Sequence, residues 1–390
     1  MRCLATWLAA LLLAACTGGE AAPPVLRVGT SGDYAPFSML GPAGRGGFDV
    51  ELVRAFAKER GLRVRWVPFS WATLERDFAA GRFDLVAGGV TVRPERSLAG
   101  RFSVPTASAG AVALVREADE IARLDHARVR IAVNRGGHLE RVARRLFPAA
   151  QLLPVTPNAA VRDAFLAGEA DAAVTDTLEA PHWLAGTRGL RVLGPYTRDW
   201  KAWWLPAPAG ERAREVDAFL LAREADGTLA ALRATHLGAG AAPTATPLTA
   251  LAAAVEERLA LMPLVAEAKR AAGAPVQAPA QEAAVLAAAP ARARPLFAAL
   301  IEAAREVQEH ALGGPPAGPA PDLDATLRPA LARVGERIAG LALRLPADLD
   351  AAAARAALAP LAVPGLSEPA RERIAAALVE VAKSGTSGAF

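Results

Sequence analysis

The sequence predicts an α/β domain followed by an all-α domain, and three observations carry that expectation. From Leu26 to about Leu237 short β-type runs alternate with amphipathic segments, the pattern of parallel sheets covered by helices. Gly238 to Pro243 and the Thr and Pro residues up to Pro247 interrupt that pattern as a linker. Beyond Pro247 the composition turns Ala-rich and helical, with Phe297 and Phe390 its only aromatic residues. The 390 residues, 53% hydrophobic and 22% charged, exceed what one compact core needs and suit a globular chain of roughly two or three domains.

Taken in order, Arg2 and the apolar run Leu4 to Ala15 read as an export signal too short to span a bilayer. Leu13-Ala14-Ala15-Cys16 resembles a bacterial lipobox, which would make Cys16 the lipidated first residue of the mature chain; cleavage near Ala21-Ala22 is the alternative. Residues 1–24 are thus leader and tether, 25–238 the α/β domain, 239–247 the linker and 248–390 the helical domain. β-Branched and apolar runs place strands at Leu26–Thr30, Arg63–Val67, Asp84–Ala87, Ala111–Val115, Arg128–Val133, Gln151–Val155, Ala170–Thr175 and Ala202–Leu205. Amphipathic spacing places helices at Asp49–Arg60, Trp71–Ala80, Gly137–Leu146, Ala159–Ala167 and Glu211–Glu224. A Gly/Pro-rich insert, Gly313 to Pro321, divides the helical domain into halves.

Composition narrows the function classes. Lys plus Arg (44) nearly balances Asp plus Glu (40) and no long run has one sign, so the net charge of +4 supplies no clustered basic face for nucleic acid. Cys3 and Cys16 both precede the folded part, which excludes a disulfide framework or a Cys-based zinc site there. The five histidines never recur at i, i+4, and the sequence calls for neither metal nor cofactor. Only Lys58, Lys201, Lys269 and Lys383 are lysines in an Arg-rich background, which marks each of them for attention.

Gly29-Thr-Ser-Gly-Asp33-Tyr34-Ala-Pro36-Phe37-Ser38 and Gly47-Phe48-Asp49-Val50-Glu51-Leu52, with Phe83-Asp84-Leu85-Val86 and Thr91-Val-Arg93-Pro94-Glu95-Arg96, resemble type 2 periplasmic solute-binding proteins. The resemblance implies two α/β lobes joined by a two-strand hinge, with a ligand carboxylate gripped by Thr91 and Arg96. A guanidinium fork suits that task because it binds a carboxylate at two points. Gly32-Asp33-Tyr34, Ser70-Trp71, Val133-Asn134-Arg-Gly136-Gly137 and Thr175-Asp176-Thr-Leu-Glu179-Ala180 are similar to one branch, the periplasmic cyclohexadienyl dehydratases. These turn prephenate into phenylpyruvate, or arogenate into phenylalanine, by losing water and carbon dioxide together. By that resemblance Glu179 is the acid that protonates the departing hydroxyl, a role that requires a raised pKa. Asp33, Trp71, Asn134 and Asp176 bind substrate, and Lys201 matches a late lysine of the branch. Singly, each has a plain reading as well: Asp33 and Asn134 as turn residues, Trp71 as core, Glu179 and Lys201 as surface charges. Asp176 discriminates nothing, since an amino-acid receptor uses it for an α-ammonium. Two positions depart from the branch: His138 stands where Thr is usual, and Ser103-Val-Pro105-Thr106 lacks the lysine expected after it.

In the helical domain Arg258 and Lys269 lie eleven residues apart, about three turns, and so share one face to within about 20°. Spacing alone leaves that face solvent-exposed or inward-looking. Arg258-Leu-x-Leu-Met, Val265-Ala-x-x-Lys269 and Pro275-Val-Gln-Ala-Pro-Ala-Gln281-Glu282-Ala-Ala-Val285-Leu286 together resemble an all-helical chorismate mutase of the secreted, gamma class. That resemblance implies a rearrangement of chorismate to prephenate driven by holding a dianion in a compact chair. Its carboxylate and ether-oxygen ligands would be Arg258, Lys269, Glu282, Gln308 and Arg328. Gln281 stands where the family has a carboxylate-binding arginine, Ala278 replaces an acidic loop residue, and Ala304 replaces a small hydroxyl residue. Loss of such a charge-assisted contact costs about 1.5–3 kcal/mol. The domain is therefore a weakened mutase, one rescued by Arg292, Arg294 or Arg305, or a relic.

Together the two resemblances make consecutive steps on small dianionic substrates, chorismate and then prephenate, in an exported, periplasmic protein held to a membrane only through Cys16. A homodimer is left open. The rival is a lipid-anchored receptor for an amino or keto acid with a degenerate mutase appended; Glu179 separates these readings, and Gln281 decides whether the mutase survives.

Overall fold

The computed structural model describes residues 22–119, 124–238, 241–316 and 318–384; Cys16 and the leader lie outside the described residues. The α/β part has two lobes. The first contains a five-stranded sheet in the order Arg63–Pro68, Val25–Thr30, Leu85–Val86, Trp204–Pro206, Gly100–Phe102. The second has the order Gln151–Val155, Arg130–Asn134, Ala172–Asp176, Ala111–Arg116, Leu190–Leu193. Central strands such as Ala111–Arg116 and Ala172–Asp176 are buried along almost their whole length, as expected for strands covered on both faces. Between the lobes, Ala107–Ala109 runs outward and Asp199–Lys201 returns antiparallel to it, forming a two-stranded link.

Most predicted elements are present, with ends moved by up to three residues in either direction. The strand at Asp84–Ala87 contracts to Leu85–Val86, and the helix at Trp71–Ala80 starts at Leu74. Short elements beyond the expectation are the hairpin Ser38–Gly41/Gly44–Gly46 and the helices Pro94–Ala99, Ala180–Leu184 and Thr228–His236.

The helical part begins where Thr246 caps Pro247–Ala260, its side chain accepting from Thr249 N at 3.2 Å, with Pro247 in the first turn where its missing N–H costs nothing. The stretch from Leu251 to Lys269 is two helices, Pro247–Ala260 and Met262–Ala272, parted at Leu261 next to Pro263. Pro279–Ala288, Arg294–Leu312, Arg328–Ala342, Ala351–Leu358 and Glu368–Lys383 follow. Apolar side chains of the first lobe and of these helices, from Leu26 and Phe56 to Leu251, Ile338 and Leu378, form one continuous core; the second lobe has its own apolar cluster on each sheet face.

Candidate functional site

The carboxyl ends of the second lobe's strands carry the chemistry, the usual place for ligands in open α/β sheets. The strand Ala172–Asp176 ends at Asp176, and Glu179 starts the helix Ala180–Leu184 three residues later. Asp176 is fully buried: its Oδ1 accepts from the backbone N–H groups of Leu178 and Glu179, each at 3.0 Å, and its Oδ2 faces Lys201 Nζ at 3.0 Å and accepts from the Tyr34 hydroxyl. Lys201 Nζ also donates to Tyr34 Oη and Thr91 Oγ1, both at 3.0 Å. Lys201, on the returning link strand, thereby joins both lobes.

Glu179 is 1% exposed. Thr175 Oγ1 donates to its Oε2 at 2.6 Å and Asn158 Nδ2 to its Oε1 at 2.7 Å. Burial, then the neighbouring Asp176 charge, pushes the Glu179 carboxyl well above the ordinary range despite those hydrogen bonds. Asn158 also ties the lobes together, its backbone N–H donating to Asp33 Oδ2 at 2.8 Å and its Nδ2 reaching Asp33 O at 3.2 Å.

With the lobes in this closed arrangement a cavity of about 20 Å³ remains, lined among others by Tyr34, Trp71, Thr91, Asn134, Asn158 and Lys201. Of the residues the sequence marks, Trp71, Thr91, Asn134 and Lys201 line it directly. Asp33, Arg96, Asp176 and Glu179 stand one contact behind, Arg96 donating from Nη1 to Thr91 O at 3.1 Å. Arg96 is 1% exposed with Nε and Nη2 lacking hydrogen bonds, Nε lying 3.6 Å from Glu75 Oε1, and burial, then the Arg141 charge, lowers its pKa to about 9. The Trp71 indole N–H likewise has no partner. His138 lines the cavity and faces Asp199 Oδ1 at 3.1 Å; burial lowers its pKa against the pull of that carboxylate. Lys201 is buried, which excludes its reading as a surface lysine.

Two glycines permit close approaches at the site, one within the first lobe and one between the lobes. Gly89 has φ +75°, and a Cβ there would lie 2.4 Å from the Tyr34 ring. Gly136 has φ +71°, and its Cβ would lie 2.5 Å from Ala72 Cα in the facing lobe. Asn158 and the functional contacts of Tyr34 escaped the sequence reading. The available signal was an Asn between Thr156-Pro157 and a helix, which reads as a cap.

Residues 26–239 match the bacterial extracellular solute-binding proteins, family 3. The chain belongs to that family. Cyclohexadienyl dehydratase of Pseudomonas aeruginosa is 35% identical over 162 residues, 40% of this chain and 60% of that enzyme, so the match spans less than two thirds of the relative. A putative amino-acid ABC transporter-binding protein of Vibrio harveyi is 28% identical over 239 residues, 59% of this chain and 95% of that one. Among solved structures, an ancestral amino-acid-binding protein described as a precursor of cyclohexadienyl dehydratase is 31% identical with a TM-score of 0.52, covering 55% of this chain and 95% of its own. Family 3 thus accounts for the two-lobed part, a small-ligand fold of exported proteins, and its match ends at residue 239.

A second cavity, of about 880 Å³, is lined mainly by the helices after residue 247 and on one side by the first lobe, at Gly100–Phe102, Asp217 and Leu221. Arg258, Lys269, Glu282, Gln308 and Arg328 all line it. Arg258 and Lys269 are buried, so of the two orientations spacing alone left open the inward one is adopted, with the two residues on successive helices rather than on one continuous helix. Arg258 Nη1 donates to Leu331 O at 3.1 Å while Nε has no partner, and burial lowers its pKa to about 10. Lys269 donates to Val276 O, and its pKa is lowered, first by burial and then by Arg328 and Arg305, against the pull of Glu282. Gln308 Nε2 donates to Ala304 O at 3.0 Å, leaving buried Oε1 free. Glu282 pairs with Arg305, and Arg328 with Asp324. Gln281 is exposed at the cavity rim. Of the arginines offered as a rescue, Arg305 lines the cavity, whereas Arg292 donates to Val381 O at 2.7 Å and Ala382 O at 3.1 Å at the end of Glu368–Lys383.

Proposed function

We propose that the cleft is a prephenate dehydratase, with Glu179 as the general acid. The observation that carries this reading is a carboxyl 1% exposed in the interlobe contact and raised well above its ordinary range, so that it holds a proton near neutrality. In the reaction Glu179 gives that proton to the ring hydroxyl as the C–O bond breaks. The bond from the ring to its carboxylate breaks in the same sense, its electron pair aromatises the ring, and water and carbon dioxide leave with phenylpyruvate. Glu179, left as a carboxylate, regains a proton from solvent. Asn158 and Thr175 hold the carboxyl in place; Thr91 and Arg96 supply the carboxylate grip. A substrate of this size exceeds about 20 Å³, so the lobes separate to admit it and the Asp33–Asn158 contact re-forms behind it.

The receptor reading draws on relatives named as amino-acid-binding proteins. Against it stands Lys201, whose ammonium already fills the seat on Asp176 that an α-ammonium needs. The same contact favours prephenate, which has no ammonium, over arogenate.

For the helical cavity we propose the preceding step, chorismate to prephenate, with Arg258 and Arg328 as carboxylate ligands and Lys269 and Gln308 as donors at the ether oxygen. Support comes from the buried Arg258 Nε, which lacks a hydrogen bond, with Lys269 and Gln308 on the wall of the same preformed cavity; Gln308 would donate through Nε2, which in the structure reaches Ala304 O, since its Oε1 can only accept. Separate incubation of the pure full chain with prephenate and with chorismate, following phenylpyruvate by its absorbance in alkali, tests both steps; an inert protein that binds an amino acid tightly refutes the dehydratase. Membrane anchoring through Cys16 is proposed on the lipobox alone, and Cys16→Ser should release the protein into the soluble fraction.

A further inference from the structure

The motif that carries Thr91 and Arg96 runs into the six-residue helix Pro94–Ala99 and the strand Gly100–Phe102. A helix that short closes few hydrogen bonds of its own, and its last carbonyls need outside donors. They come from the helical part. Arg333 Nη2 donates to Ser97 O at 3.1 Å and Leu98 O at 2.9 Å, and its Nε to Gly100 O at 3.3 Å. A guanidinium at a helix C-terminus also opposes the dipole there. One turn along the same helix, Arg337 donates to Phe102 O and pairs with Glu257. Glu257 Oε1 in turn accepts from Ser97 Oγ at 2.8 Å, a shorter bond than the 3.2 Å one from that hydroxyl to Arg93 O. Ser97, Glu257 and Arg96 are all buried.

We infer that Arg333 and Glu257, residues of the helical part, are positioning residues for the cleft: they brace Pro94–Ala99 from behind and thereby fix Arg96 and, through its bond to Thr91 O, the cleft-lining Thr91. Arg96 adjoins Ser97 in sequence, and its own backbone carbonyl accepts from Trp204 Nε1 at 3.0 Å, so the brace and the guanidinium belong to one rigid turn. Both positioning residues also line the helical cavity, which places that cavity and the back of the cleft motif against the same side chains. The inference rests on the cleft being the ligand site, and it is read in ligand affinity so that it separates from the dehydratase reading.

The experiment measures prephenate KM and kcat in the full chain, with Kd by calorimetry in the Glu179→Gln background where turnover is held down. Arg333→Ala should raise KM and Kd about three- to tenfold with kcat within about twofold, and Arg333→Lys, which keeps a cation at the helix end, should recover part of the loss. Unchanged KM and Kd in Arg333→Ala overturn the inference, as does a loss that Arg333→Lys fails to reduce. If Arg333→Ala does not fold, Ser97→Ala decides alone: it removes the hydroxyl bond to Glu257 together with the longer one to Arg93 O and should raise Kd about two- to threefold, and an unchanged Kd overturns the inference. A wild type that binds an amino acid in place of prephenate refutes the dehydratase, and the same Kd ratios are then taken with that amino acid.

Discussion

In the cleft, Lys201, Asp176 and Tyr34 satisfy one another across two lobes, and about 20 Å³ of space is left. In the helical part, Arg258 and Gln308 line a cavity of about 880 Å³ and bury Arg258 Nε and Gln308 Oε1 without a hydrogen bond. Both places bury charge, yet they set it up for a ligand differently. The cleft's network joins separate lobes, so closure completes the bonds of Lys201, Asp176 and Tyr34 while Trp71 Nε1 and two Arg96 nitrogens stay without a hydrogen bond, and a ligand has to be admitted by opening. The cavity's charged residues come from helices packed into a core continuous with the first lobe, so a ligand would meet them already in place. A ligand there would stabilise the fold by mass action, whereas in the cleft part of its binding energy is spent on replacing internal contacts.

The sharpest test of the contrast is the proton at Glu179. Glu179→Gln keeps shape and hydrogen-bonding capacity without a transferable proton, so dehydratase turnover should fall about 10²–10⁴-fold while prephenate still binds; unchanged turnover removes Glu179 from the chemistry. Because its carboxyl is raised in the folded protein, the wild-type rate should hold on the acid side and fall as pH climbs through that raised value. The native state binds the extra proton, so this group's contribution to stability is present below the ordinary carboxyl range and is lost as pH rises toward the raised one. A pH–rate profile checks the first, and denaturant titrations across pH with and without the substitution check the second.

The self-satisfied network is tested by Lys201→Met. It leaves the buried Asp176 carboxylate with Tyr34 and two backbone N–H groups but without its cation, which should cost about 3–5 kcal/mol in a denaturant titration. An amino acid whose α-ammonium takes the vacated seat should restore part of the loss, converting the cleft toward a receptor. Unchanged stability would show that Asp176 does not depend on this partner.

The preformed cavity is tested by Lys269→Ala, which should lower mutase turnover about 10²–10³-fold by removing a donor at the ether oxygen. Dehydratase turnover should stay as it is, since the two sites share none of the residues that touch substrate. A parallel loss of both activities would mean that the substitution acts through the common core instead.

Sequence pattern made the βα alternation, the switch to helices and the helix start at Pro247 legible, because buried strands and Pro-led helices are local signals. It did not reveal Pro94–Ala99 or Ala180–Leu184, since helices of six and five residues have no room for a periodic face. Among site residues, Glu179 and Asp176 were visible as a spaced pair, but the partner that neutralises Asp176 was not. Lys201 reaches it from a strand on the far side of the hinge, a contact that only the tertiary fold creates. Asn158 was hidden for the same reason, its two partners lying 125 residues before it and 21 after it in sequence. The spacing of Arg258 and Lys269 placed them on one face, yet which way that face turned depended on the packing of the helix Arg328–Ala342 and its neighbours.

The smallest expected effect concerns Gln281, where the cavity departs from the mutase pattern. Gln281 lies on Pro279–Ala288 at the exposed rim, next to Glu282. Glu282 is already engaged, with Arg305 donating from Nε to one oxygen at 3.0 Å and from Nη2 to the other, so it is not a ready partner for a second guanidinium. Consecutive helix residues also point apart, which leaves an arginine at 281 free to reach toward the cavity. Because the rim is solvated, its contact with a substrate carboxylate should be worth less than a buried one, and Gln281→Arg should raise mutase kcat/KM about tenfold with dehydratase rates unmoved. The gain should vanish when Lys269→Ala is added, since holding the carboxylate accelerates nothing unless the ether oxygen still has its donor. No change on introducing the arginine, alongside a large loss from Lys269→Ala alone, would mean that Arg305 or Arg328 already holds that carboxylate. No change from either substitution would mean that the cavity, preformed as it is, no longer turns chorismate over.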